Sequence, residues 1–389
     1  MNLSRYIIVI FMFPVFLLAT QFAQFGDAVS VTLDSSVTYA STTNIYKTSV
    51  RTSDDYYVWN PGVKLDFSQG ESNFDLSLNL SYDFNRYQRL SNLDSDLLKA
   101  SLFGSYRGAV TQVLLSYGTT EGQSAQADLT GQASASFEDL IETKTDNLSL
   151  IAKYRYSPKL SFSSGINAND LSYSTYASQF SSKESFTIPI DIIYHYSEKL
   201  DVIYGIDYTN KEIGLTSSGK GDYSTDEVYY KVGLSGEIRP KLDGNISVGI
   251  RHIEFSNEDV INYSKDYRET LGIQSALSWR LSPKFSSILN LTRNYDTAGS
   301  GDSYNQTKVS LTNRYTIKSD LSINTLASLS SKKYLSGSRR TDELDRYEVN
   351  LDYFPHQNVI ISMGYAYTHS RAASRYVGED FSIKASILY

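Results

Sequence analysis

Phe74-Asp75-Leu76-Ser77-Leu78-Asn79-Leu80-Ser81-Tyr82-Asp83-Phe84 alternates without a lapse. Every even position is apolar and every odd one polar. Successive side chains of a strand point to opposite faces, so this stretch reads as a strand with one face in an apolar medium and one in water. The same rule, with small lapses, runs through most of the chain. Phe186, Ile188, Ile190, Ile192, Tyr194 and Tyr196 share one face, and Leu200, Val202, Tyr204, Ile206 and Tyr208 the next. Leu271, Ile273, Leu277, Trp279 and Leu281 form another, as do Val359, Ile361, Met363, Tyr365 and Tyr367. No amphipathic helix of convincing length interrupts the series.

A soluble β-sandwich shares this alternation, but three features separate the two. The strands run about 10–13 residues, against the usual 5–6. The apolar faces begin or end in aromatic residues, as at Tyr154, Tyr156, Tyr194, Trp279 and Tyr315, which is how aromatic girdles mark the two interfaces of a membrane. The opposite faces are built almost wholly from small or polar residues.

Short polar turns set the count. Ser157-Pro158-Lys159-Leu160, Ser197-Glu198-Lys199-Leu200, Arg239-Pro240-Lys241-Leu242, Ser282-Pro283-Lys284-Phe285, Lys318-Ser319-Asp320-Leu321 and Phe354-Pro355-His356-Gln357 recur about 36–43 residues apart, two strands and one longer loop per period. Two earlier turns are expected near Ser68-Gln69-Gly70 and Arg107-Gly108. Eight short turns join nine hairpins. The fold class is therefore all-β: a transmembrane, antiparallel up-and-down β-barrel of 18 strands, or 16 if residues 29–40 do not pair. Longer connections are expected at about 85–97, 119–147, 210–225, 256–267, 296–303, 333–343 and 370–378. An even strand number with short turns on one rim puts both termini in the periplasm of an outer-membrane barrel.

Composition agrees. The 389 residues include 32 Tyr, 17 Phe and 2 Trp but no Cys. Without Cys, disulfides, Cys-ligated zinc or iron–sulfur centres and a lipid-modified N-terminus are all excluded. A net charge of −7 argues against a nucleic-acid partner. The one long apolar run, Tyr6 to Ala19, follows Arg5 and precedes Gly26-Asp27-Ala28. Residues 1–28 thus read as a secretory signal peptide, and 29–389 as the barrel. The last strand places Phe381, Ile383, Ala385, Ile387 and Tyr389 on one face and ends on an aromatic residue. This resembles the C-terminal signal that the barrel assembly machinery recognises.

Alternation also predicts the lumen-lining charges. The acidic set is Asp66, Asp75, Asp83, Asp191, Asp201, Asp207, Glu237, Glu348 and Asp352. The basic set is Lys64, Lys99, Lys153, Arg155, Lys231, Arg239, Arg280, Lys308, Arg314 and Lys384. Mixed signs argue against a strongly selective ring and for pairing across the wall. No cofactor is implied. Gly219-Lys220-Gly221 lacks the strand and helix of a phosphate loop. The four histidines, His195, His252, His356 and His369, lie in no nucleophile motif. Glu254 shares a face with His252, a weak pair. The chain therefore reads as a non-enzyme without a metal site.

Residues 39–46 (YASTTNIY), Asp54-Asp55-Tyr56-Tyr57-Val58 and Asn60-Pro61-Gly62-Val63-Lys64-Leu65 resemble the opening of a porin-like β-barrel family encoded among exopolysaccharide and capsule genes of Gram-negative bacteria. Thr43 stands where that family usually has an acidic residue. The resemblance implies export or assembly of extracellular polysaccharide, and it supplies no catalytic residues. Its expected partners are the polysaccharide, a periplasmic export protein, the barrel assembly machinery, and the lipid and lipopolysaccharide around the barrel. The alternative is a general diffusion porin for small hydrophilic solutes. An inward-folded loop would favour that alternative, and residues 119–147 are the candidate. A surface scaffold or adhesin is the remaining reading.

Overall fold

The computed structural model describes residues 23–25, 29–68, 73–131, 138–214, 222–256, 267–335 and 340–388. The expected signal peptide lies outside them except for residues 23–25. Gly219-Lys220-Gly221 and Tyr389 also lie outside, as does most of the turn at residues 68–70.

Nineteen strands follow in chain order. They are β1 (Ala23–Phe25), β2 (Val29–Thr42), β3 (Asp54–Ser68), β4 (Phe74–Tyr87), β5 (Ser95–Arg107), β6 (Thr111–Ser124), β7 (Ile141–Ser157), β8 (Leu160–Tyr173), β9 (Lys183–His195), β10 (Leu200–Ile213), β11 (Tyr223–Arg239), β12 (Leu242–Phe255), β13 (Tyr267–Ser282), β14 (Phe285–Thr297), β15 (Ser303–Lys318), β16 (Leu321–Tyr334), β17 (Thr341–His356), β18 (Val359–Arg371) and β19 (Arg375–Leu388). Strand β1 adds a short rung to the start of β2. Strands β2 to β19 pair antiparallel with their chain neighbours, and β19 closes the ring on β2 from Asp380↔Thr42 to Leu388↔Asp34. The result is a closed barrel of 18 strands. Residues 29–40 pair on both sides, which decides 18 over 16. Closure leaves the strand edges paired around the ring, except on β13 beyond Ile273, where its ladder with β14 stops.

Both ends of the ring lie at the short-turn rim: Val29 pairs with Phe67 beside the first short turn, and Leu388 with Asp34. The apolar faces point outward. Leu78, Ile190, Val232 and Ile250 stand exposed in the middle of the wall. Tyr106, Tyr154, Tyr194, Trp279, Tyr315 and Tyr353 ring the short-turn side, and Trp59, Tyr82, Tyr117, Tyr208 and Tyr347 the other.

The strands are longer than the alternation suggested, at 13–17 residues, whereas about 9–11 suffice to cross a bilayer. Their ends are polar on both faces but still paired. Strand β7, for example, carries Glu142, Lys144 and Asp146 outward while bonded to β6. The expected loop 119–147 therefore shrinks to 125–140, and 85–97 to 88–94. Two hairpin connections absent from the expected set, 43–53 and 174–182, complete the long-loop rim.

Candidate functional site

The polar face is the interior, because its side chains reach strands that are not sheet neighbours: Lys183 Nζ of β9 lies 2.7 Å from Asp296 Oδ1 of β14. Register places the predicted lumen residues on this face, with one exception. A bulge between Glu237 and Arg239 shifts the pairing by one, so Arg239 sits opposite Leu242 and shares the face of Trp279. Simple alternation assigns Arg239 to the lumen because it cannot register the extra residue.

Most interior charges are paired. Lys231 bridges Asp207 at 2.7 Å and Asp191 at 3.1 Å. Asp191 is two strands away, and the bridge passes over Gly205 of β10, where a Cβ would collide with Asp191 Oδ1 and the Lys231 chain. Lys64 pairs with Asp66 at 2.8 Å, Arg280 with Asp243 at 2.8 Å, Lys199 with Glu237 at 2.6 Å, and Arg346 with Glu348 at 3.0 Å. Lys99 pairs with Asp83. Asp75 accepts from Ser105, and Asp352 from Asn324 and Ser362. Lys153, Arg155, Lys308, Arg314 and Lys384 make no ion pair among the described residues.

The lumen narrows at the long-loop rim. The β6–β7 connection carries a short helix, α1 (Gln126–Thr130), which leaves the wall and reaches the β16–β17 hairpin, ten places along the ring of 18. There the Thr130 carbonyl accepts from Tyr334 Oη at 3.2 Å and from the Arg340 guanidinium at 2.7 Å. Arg340 stacks 4.0 Å from the Tyr334 ring centre and is held by Asp342 at 3.1 Å. Gly131 ends the helix at φ +68°, against Asp342 and Tyr334, where a Cβ would collide with the carboxylate. On the opposite side Lys47 pairs with Asp128 at 2.6 Å.

A second segment bends in to meet the first. The β13–β14 ladder stops at Ile273↔Arg293, while β14–β15 pairing continues to Thr297↔Ser303. Freed from β13, the β14–β15 tip enters the lumen. Tyr295 packs there with Ile213, Tyr223, Ile253 and Phe255 of the β10–β12 wall. Lys183 holds Asp296, and Lys211 donates to the Tyr295 carbonyl at 3.2 Å while lying 3.5 Å from buried Glu227, which also pairs with Arg251. Gly299 N–H donates to the Leu129 carbonyl at 2.9 Å, and Ser181 N–H to the Gly299 carbonyl at 2.8 Å. Phe180, Ile141, Tyr173 and Leu129 pack beneath this junction. Tyr176 donates to Asp139 at 2.6 Å, which raises its pKa above the ordinary tyrosine value. Beside α1, a cavity of about 480 Å³ runs along the wall between Thr38, Tyr56, Glu348, Thr368 and Asp380. These two segments thus narrow the mouth.

One cluster has the outline of a hydrolase triad. Ser161 Oγ lies 2.8 Å from His195 Nε2, and His195 Nδ1 lies 2.6 Å from Asp201 Oδ1. Such a chain activates a nucleophile when substrate can reach the hydroxyl and donors await the oxyanion. Here Ser161 has no exposed surface, and it sits in a ladder opposite Arg155 and Ile193. In this state the three residues clamp β8, β9 and β10 together beside the short turns.

The sequence reading missed this clamp and the apolar interior cluster. Turn register offered a signal for the clamp, since residues 161, 195 and 201 are all inward positions next to short turns. Nothing local marks Tyr295 or Phe180 as interior, because their partners come from distant strands.

No known protein family and no curated protein matches the chain. Solved structures match across its length at low identity. OccK9 (OpdG) of Pseudomonas aeruginosa is 11% identical, with 94% of this chain and 100% of that chain covered and a TM-score of 0.50. OpdL of the same organism is 11% identical over 94% and 99%, with a TM-score of 0.46. The FrpB iron transporter of Neisseria meningitidis is 9% identical over 90% of this chain, which spans only 62% of the transporter's length, with a TM-score of 0.49. The likeness is one of fold: this chain is an outer-membrane-type β-barrel with porin-like architecture.

Proposed function

We propose that this barrel is an outer-membrane channel for small hydrophilic solutes. The observation that carries the reading is helix α1, which crosses the lumen to Tyr334 and Arg340 and narrows what would otherwise be a wide conduit. A polar wall beneath a narrowed mouth suits diffusion of small solutes and excludes large ones. Planar-bilayer recording with the purified protein tests it. A small, stable conductance for simple salts is expected. Absence of current, both in the intact protein and after removal of residues 125–140, overturns it.

A second reading, export of extracellular polysaccharide, draws on the resemblance of residues 39–65 and on the hydroxyl-rich wall. It requires α1 to leave the lumen. A deletion strain with unaltered surface polysaccharide overturns it. Either reading carries the same setting: both termini periplasmic, a signal peptide removed, assembly by the barrel machinery through the last strand, and lipid and lipopolysaccharide around the wall. The export reading adds a periplasmic export protein at the short-turn rim.

A further inference from the structure

We infer that the wall of β5–β7, near the short-turn mouth, binds oxyanionic groups of solutes in transit. This rests on the channel reading and names the chemical class of its solute. Arg107 of β5 pairs with Gln112 of β6, and Gln112 with Lys153 of β7, so the three lie side by side in one inward row. Arg155 is the next inward residue on β7, opposite Ser161, and Ser163 flanks Lys153. Adjacent side chains in such rows sit about 5 Å apart, so one solute group can touch two or three of these cations.

What sets the row apart is that its cations stand without ion pairs. None of Arg107, Lys153 and Arg155 has an ion pair among the described residues, in an interior where most charges are matched. Of the nearest lumen carboxylates, Asp191 is paired with Lys231, Asp201 is hydrogen-bonded by His195, and Asp75, bonded to Ser105, makes no ion pair with the row. Three like charges on one wall repel one another, and an oxyanion relieves that repulsion. Guanidinium groups present paired donors that fit a carboxylate or a phosphate. Arg314, also without an ion pair, stands on β15 across the barrel. The unmatched carboxylates Asp34 and Asp380 lie on β2 and β19, away from the row.

The experiment is bilayer recording of the full-length mature protein in a potassium chloride gradient, with glucose, glucuronate or glucose 6-phosphate then added to both sides. The wild type is expected to prefer chloride and to be blocked by the charged sugars but not by glucose. The triple variant Arg107→Gln/Lys153→Gln/Arg155→Gln is expected to lose block by about tenfold, the scale of electrostatic focusing in a charged cleft. Lys284→Gln, at a short turn, serves as the control and leaves block unchanged. Block by glucuronate alone assigns a carboxylate site, and by glucose 6-phosphate alone a phosphate site. A conducting protein without block, or with block unchanged in the triple variant, overturns the inference and leaves the channel reading standing. Absence of any current sinks the channel reading instead.

Discussion

Gly299 donates its amide hydrogen to the Leu129 carbonyl at 2.9 Å, joining two segments that leave the wall from separate arcs of the ring. Neither segment is a plug domain. One is the β6–β7 connection, and the other is a hairpin end freed from its pairing with β13.

Because the chain has no cysteine, this junction can be locked cleanly. A Cβ at position 299 would lie 3.4 Å from Leu129 Cβ, close to the roughly 3.8 Å spacing of disulfides. Leu129→Cys with Gly299→Cys is expected to cross-link under mild oxidation and to lower conductance reversibly with reductant. Non-reducing gels and bilayer recording check both parts.

Arg340→Ala removes a charged donor from the Thr130 carbonyl and a ring contact from Tyr334. A hydrogen bond to a charged group contributes about 1.5–3 kcal/mol, so the docked-to-undocked ratio of α1 is expected to fall roughly 10- to 100-fold. Larger single-channel conductance and faster proteolysis within residues 125–140 are the readouts.

Gly205→Val places a branched side chain under the Lys231–Asp191 bridge. Overpacking of this kind costs about 1–3 kcal/mol. The expected result is a lower urea midpoint for unfolding, followed by the gel-mobility shift between folded and unfolded barrel. Ser164→Val, on the outer face of β8, should leave the midpoint nearly unchanged.

The Ser161–His195–Asp201 chain predicts a stability effect and no labelling. His195→Ala is expected to cost about 1–3 kcal/mol, the sum of two lost hydrogen bonds. A fluorophosphonate probe is expected to leave Ser161 unmodified in the folded barrel. Stoichiometric labelling by mass spectrometry would show that the clamp opens into a reactive site.

Leu78→Arg puts a charge on the lipid face of β4. Such a substitution near the midplane costs about 2–4 kcal/mol. Ser77→Arg, its neighbour on the lumen face, should cost little. Equal losses for the two would contradict the assigned faces.

The barrel was legible in the sequence because its two determinants are local. Alternation over residues 74–84 fixes a face, and each Pro-Lys turn fixes a reversal. Bulges are not local in that sense. Arg239 changes face because one extra residue is accommodated against Leu242, and no residue type announces it. Loop lengths were overstated for a related reason: past the apolar band, β7 is held by backbone bonds whose outward residues are as polar as a loop. The narrowed mouth was beyond reach. Asp128, Thr130 and Gly299 look like ordinary loop residues, and only ring closure brings them to Lys47, Arg340 and Leu129. The tyrosines show both regimes. Tyr194 and Tyr230 obey the alternation and face lipid, whereas Tyr223, Tyr295 and Tyr334 fill the interior for reasons set by distant strands.

The β13–β14 ladder that ends at Ile273↔Arg293 gives the mouth an unusual thermodynamic character. If the β14 tip returned to the wall, the edge of residues 267–272 would regain partners while the contacts of Tyr295, Asp296 and Gly299 were lost. Opening would then be an exchange between two hydrogen-bonded sets rather than a net rupture of one. The ladder bonds regained would offset the backbone bonds released, so the cost of opening would fall chiefly on the Tyr295 cluster and the Lys183–Asp296 pair.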